Sequence, residues 1–270
     1  MFFSPHNYCS GSKIASGADF FAYVDGAFFL HNGIYRGIIK QIEGVVTIHS
    51  FQKNHLYLAA FFAVELLLYA LSLTSGGNLL VYSSFSAIVL CFAFSALHLK
   101  TGSKLITAGL ACTVAADYFL VVCAPAQRLI AMVFFLAAQT FYAVRLHREI
   151  KKKALVWFRL GLTVLALAVC VAVLRDKVDA LALVSLCYYA ALICNLICAF
   201  ADFRHNKLLA IGFVLFLLCD TVIGLQVASE GYLQIPAQSL LYKIIFMDFH
   251  LSWFFYLPSQ VLISISGRKR

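Results

Sequence analysis

The stretch LLAIGFVLFLLCDTVIGLQVA, residues 208–228, holds a single ionisable side chain, Asp220, in 21 positions. A run of about 20 apolar residues is what a helix needs to cross the roughly 30 Å hydrocarbon core of a bilayer. Seven more runs of similar character flank it, at 56–74, 79–97, 105–124, 129–147, 154–174, 180–200 and 249–266. Short polar connectors separate most of them, such as Ser75-Gly76-Gly77-Asn78 and Arg175-Asp176-Lys177, while the longest, 229–248, contains Pro236. None of the runs alternates polar and apolar residues as barrel strands do. The expected architecture is all-α: a polytopic membrane bundle of eight transmembrane helices.

Composition agrees. Of 270 residues, 63% are hydrophobic and 12% charged, and the mean hydropathy is +0.89. A soluble domain carries about 25% charged residues, so too little polar surface is present to cover a water-exposed globule. Disorder, a disulfide scaffold and an ordinary soluble enzyme are poor fits. Eight of the nine Cys fall inside the apolar runs and no Cys-x-x-Cys pair occurs; such Cys pack as small apolar residues.

The net charge of +9 does not point to nucleic acid, because Lys and Arg lie between the apolar runs. With the N-terminus cytoplasmic, 17 Lys and Arg fall on the inner side and four (Arg128, Arg175, Lys177 and Lys243) on the outer. By the positive-inside rule both termini are expected inside. The basic cluster 145–153 reads as a topology anchor, with contact to anionic lipid as a secondary reading. Residues 1–54 hold an aromatic stretch, Phe20 to Leu30, interrupted by Asp25. It is too short to span and lacks the features of a signal peptide. It reads as an interfacial or poorly ordered extension to a membrane domain at 55–270. The expected location is the plasma (cytoplasmic) membrane.

An ionisable side chain at membrane depth costs at least about 2.5–3.5 kcal/mol and so needs a reason. Three stand out: Glu65, Asp117 and Asp220. Asp117 comes 12 residues after Leu105, and Asp220 comes 12 after Leu208. At about 1.5 Å per residue both sit about 18 Å from the inner edge. Gln139, Tyr256 and Gln260 fall at comparable depths in the spans that follow. The halves read Asp117…Gln139-x-x-Tyr142 and Asp220…Tyr256-x-x-x-Gln260, which suggests a 4+4 parallel repeat with its site at the interface. A plainer reading stands beside this one: a membrane Asp or Gln can simply bond a neighbouring helix, at about 0.6 kcal/mol on average. For Glu65 alone, that or a supporting role is preferred.

Other chemistries find no support. The chain has no Gly-x-Ser-x-Gly elbow and no His-Glu-x-x-His zinc pair. All eight His lie in the tail, in connectors or near span ends, whereas a seven-helix zinc amidohydrolase gathers several imidazoles in its bundle. Phosphate loops and nucleotide fingerprints are missing. No cofactor or metal is implied.

Ala116-Asp117-Tyr118-Phe119-Leu120 and Phe135-Leu136-Ala137-Ala138-Gln139-Thr140-Phe141-Tyr142 resemble the third and fourth spans of YhhN-like membrane proteins. Leu215-Phe216-Leu217-Leu218-Cys219-Asp220 and Tyr256-Leu257-Pro258-Ser259-Gln260 resemble their seventh and eighth. The resemblance covers roughly residues 55–266. It implies eight helices and, since the animal members are lysoplasmalogenases, an ether hydrolase. The substrate would be a lysophospholipid whose vinyl ether is cleaved to a fatty aldehyde and a glycerophospho-base. Two positions depart from the family pattern: Ala116 stands where Gly commonly precedes the Asp, and Gln139 where His commonly begins His-x-x-Tyr. Gln does not titrate near neutral pH as His does, so a proton shuttle at that position would be lost.

Vinyl ethers hydrolyse by proton transfer to the β-carbon, which leaves an oxocarbenium ion for water to attack. That needs one protonated carboxyl and one carboxylate close by, and neighbouring carboxyls give up their protons in separate steps. Asp117 and Asp220 are the expected catalytic pair. Gln139, Tyr142, Tyr256, Gln260 and Glu65 are the expected substrate-binding residues, and the partners are the lysophospholipid and membrane lipids. The alternative is a proton-coupled transporter or lipid-binding membrane protein without catalysis, since such carriers also use intramembrane carboxyls. A structural scaffold is the third reading. Oligomeric state stays open.

Overall fold

The computed structural model describes residues 56–123, 125–150, 153–174, 179–231, 236, 238–247 and 249–268. The chain packs as two units that divide between Ala59 and Ala60. The extension expected at 1–54 lies outside the described residues. Apart from the first turn of α1, every described helix belongs to the second unit.

Among the described residues all regular structure is helical. In chain order the helices are α1 (Leu56–Thr74), α2 (Gly77–Leu97), α3 (Lys104–Asp117), α4 (Arg128–Ile150), α5 (Lys153–Leu174), α6 (Ala180–Ala201), α7 (Phe203–Gly231), α8 (Leu240–Ile245) and α9 (Leu251–Ser266). Six of them, α1 to α4, α6 and α7, are long and apolar enough to cross a membrane, with α3 continuing to Val122. With no water to bond exposed N–H and C=O groups, helices satisfy the backbone internally, which is why apolar runs of this length take that form. Large apolar side chains such as Leu66, Leu67, Val133, Ile211 and Leu218 face outward; a surface so apolar is one that lipid covers. The chain is a multi-pass membrane protein. Helix α9, with 16 residues, is about 24 Å long by helical rise.

The connectors are fixed by specific bonds. Gly77 has φ +59, a left-handed conformation open to glycine without strain; it lets α2 reverse on α1 within two residues. After Asp117 the chain forms a π-helical turn, Tyr118–Val122, closed by Cys123 N–H donating to Tyr118 O at 2.9 Å. Asp179 caps α6 by accepting from Ala182 N–H at 2.7 Å. Helix α7 starts at Phe203, but non-helical angles at Asn206 kink it, so its apolar part begins where the sequence reading put it. In α9, Pro258 has no N–H to give to Phe254 O four residues back. Tyr69 Oη on α1 donates to that carbonyl instead, at 3.3 Å.

Helices α2, α3, α4, α6, α7 and α9 pack in that order as a closed ring, with α9 returning to α2 and also touching α3. Helix α5 packs on α6 outside the ring. Helix α1 lies on α2 in antiparallel register: Phe61 stacks on Phe94, Cys91 donates to Glu65, and Ser72 bonds Ser83. Two glycines allow close approach within the ring. A Cβ on Gly109 of α3 would fall within the Tyr142 ring of α4, and one on Gly212 of α7 would meet Ile263 and the Ser259 carbonyl of α9 at 3.0 and 3.2 Å.

Candidate functional site

Asp117 ends the regular part of α3 and Asp220 stands in α7. The ring of Phe216 contacts both tyrosines, Tyr256 and Tyr188, whose hydroxyls reach them. Asp117 is 2% exposed, whereas Asp220 is partly open. Each carboxyl is held by a tyrosine from another helix. Tyr256 Oη of α9 donates to Asp117 Oδ2 at 2.6 Å, and Tyr188 Oη of α6 donates to Asp220 Oδ2. Among the described residues the second oxygen of each carboxyl carries no hydrogen bond.

Aromatic rings wall the pair. Phe216, one turn from Asp220 on α7, lies 5.3 Å from the Tyr256 ring and 6.4 Å from that of Tyr188. Phe135 of α4 lies 5.6 Å from Tyr188, and Trp253 of α9 lies 5.7 Å from Tyr256. Five ring helices, α3, α4, α6, α7 and α9, thus meet here. The π turn opens directly after Asp117; such turns recur at functional sites because they re-aim side chains and free a carbonyl.

Among the described residues, none of the remaining expected residues bonds either carboxyl. Gln139 is fully buried, its Oε1 and its backbone carbonyl both accepting from Asn195 Nδ2 at 2.9 Å. Tyr142 is pressed against Gly109 beside Thr113. Gln260, one turn along α9 from Tyr256, donates to Ser259 Oγ at 3.3 Å. Gln139 Nε2, Asn195 Oδ1 and Gln260 Oε1 are buried with no partner, and buried polar atoms of this kind are normally met by ordered water. Glu65 takes a bond from Cys91 Sγ at 3.2 Å, in the contact between α1 and α2. Among the described residues no three His, Cys, Asp or Glu side chains converge as a metal site would require.

Two participants escaped the sequence reading. Tyr188 and its neighbour Tyr189 both reach α7, the second bonding Thr221 Oγ1 at 2.9 Å. Adjacent tyrosines in a run as apolar as 180–200 were the available signal. Asn195, the single Asn of that run, was the other.

No curated protein and no solved structure matches the chain. The sequence model of the YhhN family matches residues 79–266. That stretch runs from the start of α2 to the end of α9, and it takes in Asp117, Asp220 and both tyrosines that hold them. The chain belongs to the YhhN family.

Proposed function

We propose that the protein is an integral membrane hydrolase that cleaves the vinyl ether of lysoplasmalogen-type lysophospholipids. The observation that carries this reading is the pair of carboxyls, Asp117 and Asp220, each gripped on one oxygen by a tyrosine and, among the described residues, unbonded on the other. The protonated member delivers its proton to the β-carbon of the vinyl ether. The ionised member faces the resulting oxocarbenium ion and orients a water. The water oxygen bonds to the cationic carbon and its surplus proton passes to a carboxylate. The hemiacetal then expels the glycerol oxygen as an alcohol, releasing a fatty aldehyde and a glycerophospho-base, with one water consumed. Coupled carboxyls titrate as a pair, so the two together supply the acid and the base. Tyr256 and Tyr188 position them. Gln139, Gln260 and Tyr142 hold water or the glycerol hydroxyls, and Glu65 supports the bundle behind them.

Eight spans, both termini cytoplasmic and a 4+4 parallel repeat complete the reading. The short α9 is accommodated by local thinning of the bilayer. The repeat is supported by spacing and by packing. Gly109 precedes Asp117 by eight positions and Gly212 precedes Asp220 by eight, and each glycine receives the next ring helix closely. Helix α1 flanks α2 as α5 flanks α6. Asp117 stands five positions from Val122, and Tyr256 five from Leu251, so both lie about 8 Å from one end of the bundle by helical rise. That depth suits the vinyl ether of a single-chain lipid whose tail lies among the apolar side chains. Residues 1–54 are an extension to this domain, and the plasma membrane is its proposed location.

A proton-coupled carrier is the second reading, favoured by the break in α3 beside Asp117, since carriers place sites at interrupted helices. Helix α7 has no matching break at Asp220; its kink is at Asn206. Purified protein incubated with a lysoplasmalogen should release aldehyde in proportion to time and enzyme. Uptake of lipid or protons into proteoliposomes without aldehyde release would overturn the hydrolase in favour of the carrier.

A further inference from the structure

The basic cluster at the end of α4 gains a second partner in the fold. The α2–α3 connector and the last turns of α4 line an open basin of ≈ 400 Å³, with Lys100, Lys104, Arg145 and Arg148 among its walls. No described carboxylate lines it. Lys100, Lys104 and Arg148 stand exposed around it, and an anion among these like charges relieves their repulsion. Arg guanidinium groups also present paired N–H donors that match phosphate oxygens.

The basin is built rather than incidental. Its floor is stitched to the end of α9: Ser103 N–H donates to Gly267 O at 2.7 Å, and Arg145 Nη1 and Nη2 donate to Ser266 Oγ and O at 3.2 and 3.1 Å. Gly102 is wedged where a Cβ would stand 2.8 Å from His98 O and 2.9 Å from Gly267 O, so the connector passes only as glycine. The N-terminus of α3 opens beside it, with Ser103 providing no side-chain cap. Leu97 and Leu99 nearby are 84% and 39% exposed, an apolar rim next to a cationic hollow. A topology anchor requires charge on one side of the membrane but no such concavity.

We propose that this basin binds a phosphate-bearing anion at the membrane surface, as a site separate from the Asp117–Asp220 pair. The apolar rim suits the headgroup of an anionic phospholipid, and free phosphate shares the same chemistry. The test uses the full chain in phosphatidylcholine nanodiscs, with thermal midpoint as readout. The additions are phosphatidylglycerol in the disc or inorganic phosphate in solution. A ligand that binds only the folded state raises the midpoint. The variants are Lys104→Gln/Arg148→Gln, which leaves the structural Arg145 in place, and Arg204→Gln/Lys207→Gln, a charge-matched control at the α6–α7 connector. Wild type and control should respond to an added anion, while the basin variant binds it at least about 10-fold more weakly, as expected for two lost charge-assisted contacts. A response to phosphatidylglycerol alone identifies the lipid as the source, and an equal response to phosphate identifies the soluble anion. Equal losses in both variants, or a wild type indifferent to both additions, would overturn the proposal.

Discussion

Tyr256 of α9 donates its hydroxyl to Asp117 of α3 at 2.6 Å, joining residues 139 positions apart in the chain. The equivalent bond from Tyr188 of α6 to Asp220 of α7 spans 32 positions. Each carboxyl is therefore oriented by a helix other than its own, and its position depends on how the ring closes.

Asp117→Asn and Asp220→Asn keep the size of the side chain and an oxygen for the tyrosine to bond, so both variants should insert and fold. Each removes a proton donor or a charged partner from the proposed reaction. General acid–base catalysis contributes about 10²–10⁴-fold, and aldehyde release should fall by at least 100-fold in either variant. A purified variant with wild-type turnover would remove that residue from the chemistry.

Tyr256→Phe and Tyr188→Phe retain the aromatic wall and delete only the hydroxyl. Turnover should drop about 10-fold for each, the size of one lost charge-assisted hydrogen bond, with little change in KM. Because Tyr256 acts through Asp117, adding Tyr256→Phe to Asp117→Asn should cost almost nothing more in rate. Additive losses would mean that Tyr256 works on the substrate directly.

The length and hydropathy of the apolar runs located the elements but could not orient them. Runs of about 20 apolar residues with polar connectors place α1 to α7 within a few residues of the observed ends, since length and hydropathy alone decide which segments lipid can hold. Two acidic residues at one depth, each 12 positions into its run, were equally readable as Asp117 and Asp220. Their tyrosines were not. A helix that is apolar all round carries no stripe to tell which face meets a neighbour, so Tyr188 of α6 could not be aimed at α7. The same reason hid the Gln139–Asn195 contact. The short α8, capped by Ser239 accepting from Tyr242 N–H at 3.1 Å, was likewise missed, because six residues of LLYKII carry too little pattern within a long connector.

Gly109→Ala tests the close approach of α3 to α4. Alanine favours a helix over glycine by about 1 kcal/mol, but here its methyl would collide with the Tyr142 ring. Overpacking of this kind costs about 1–3 kcal/mol, so the thermal midpoint should fall. Gly224→Ala in α7, where nothing lies within 4 Å, should leave it unchanged or raise it.

Asn195→Leu strands a buried acceptor, Gln139 Oε1, while the Gln139 carbonyl keeps its bond within helix α4. Leaving such groups unmet costs about 1–3 kcal/mol. The double variant Gln139→Leu/Asn195→Leu removes that acceptor along with the donor and should lose less stability than the sum of its singles, as read from unfolding midpoints. Strict additivity would show that the two amides do not support one another.

The ring closes only when α9 docks against α2 and α7, and it is this last helix that carries the hydroxyl on Asp117. During synthesis, the helices that precede α9 can leave the translocon with the first carboxyl still missing its partner. A product terminated before residue 256 would therefore be inserted yet unfinished, and the bilayer would hold an open circle of helices with an unshielded acid on its inner side. Competence arrives only when α9 docks, so chains cut short of it should be cleared by membrane quality control and not persist half-assembled.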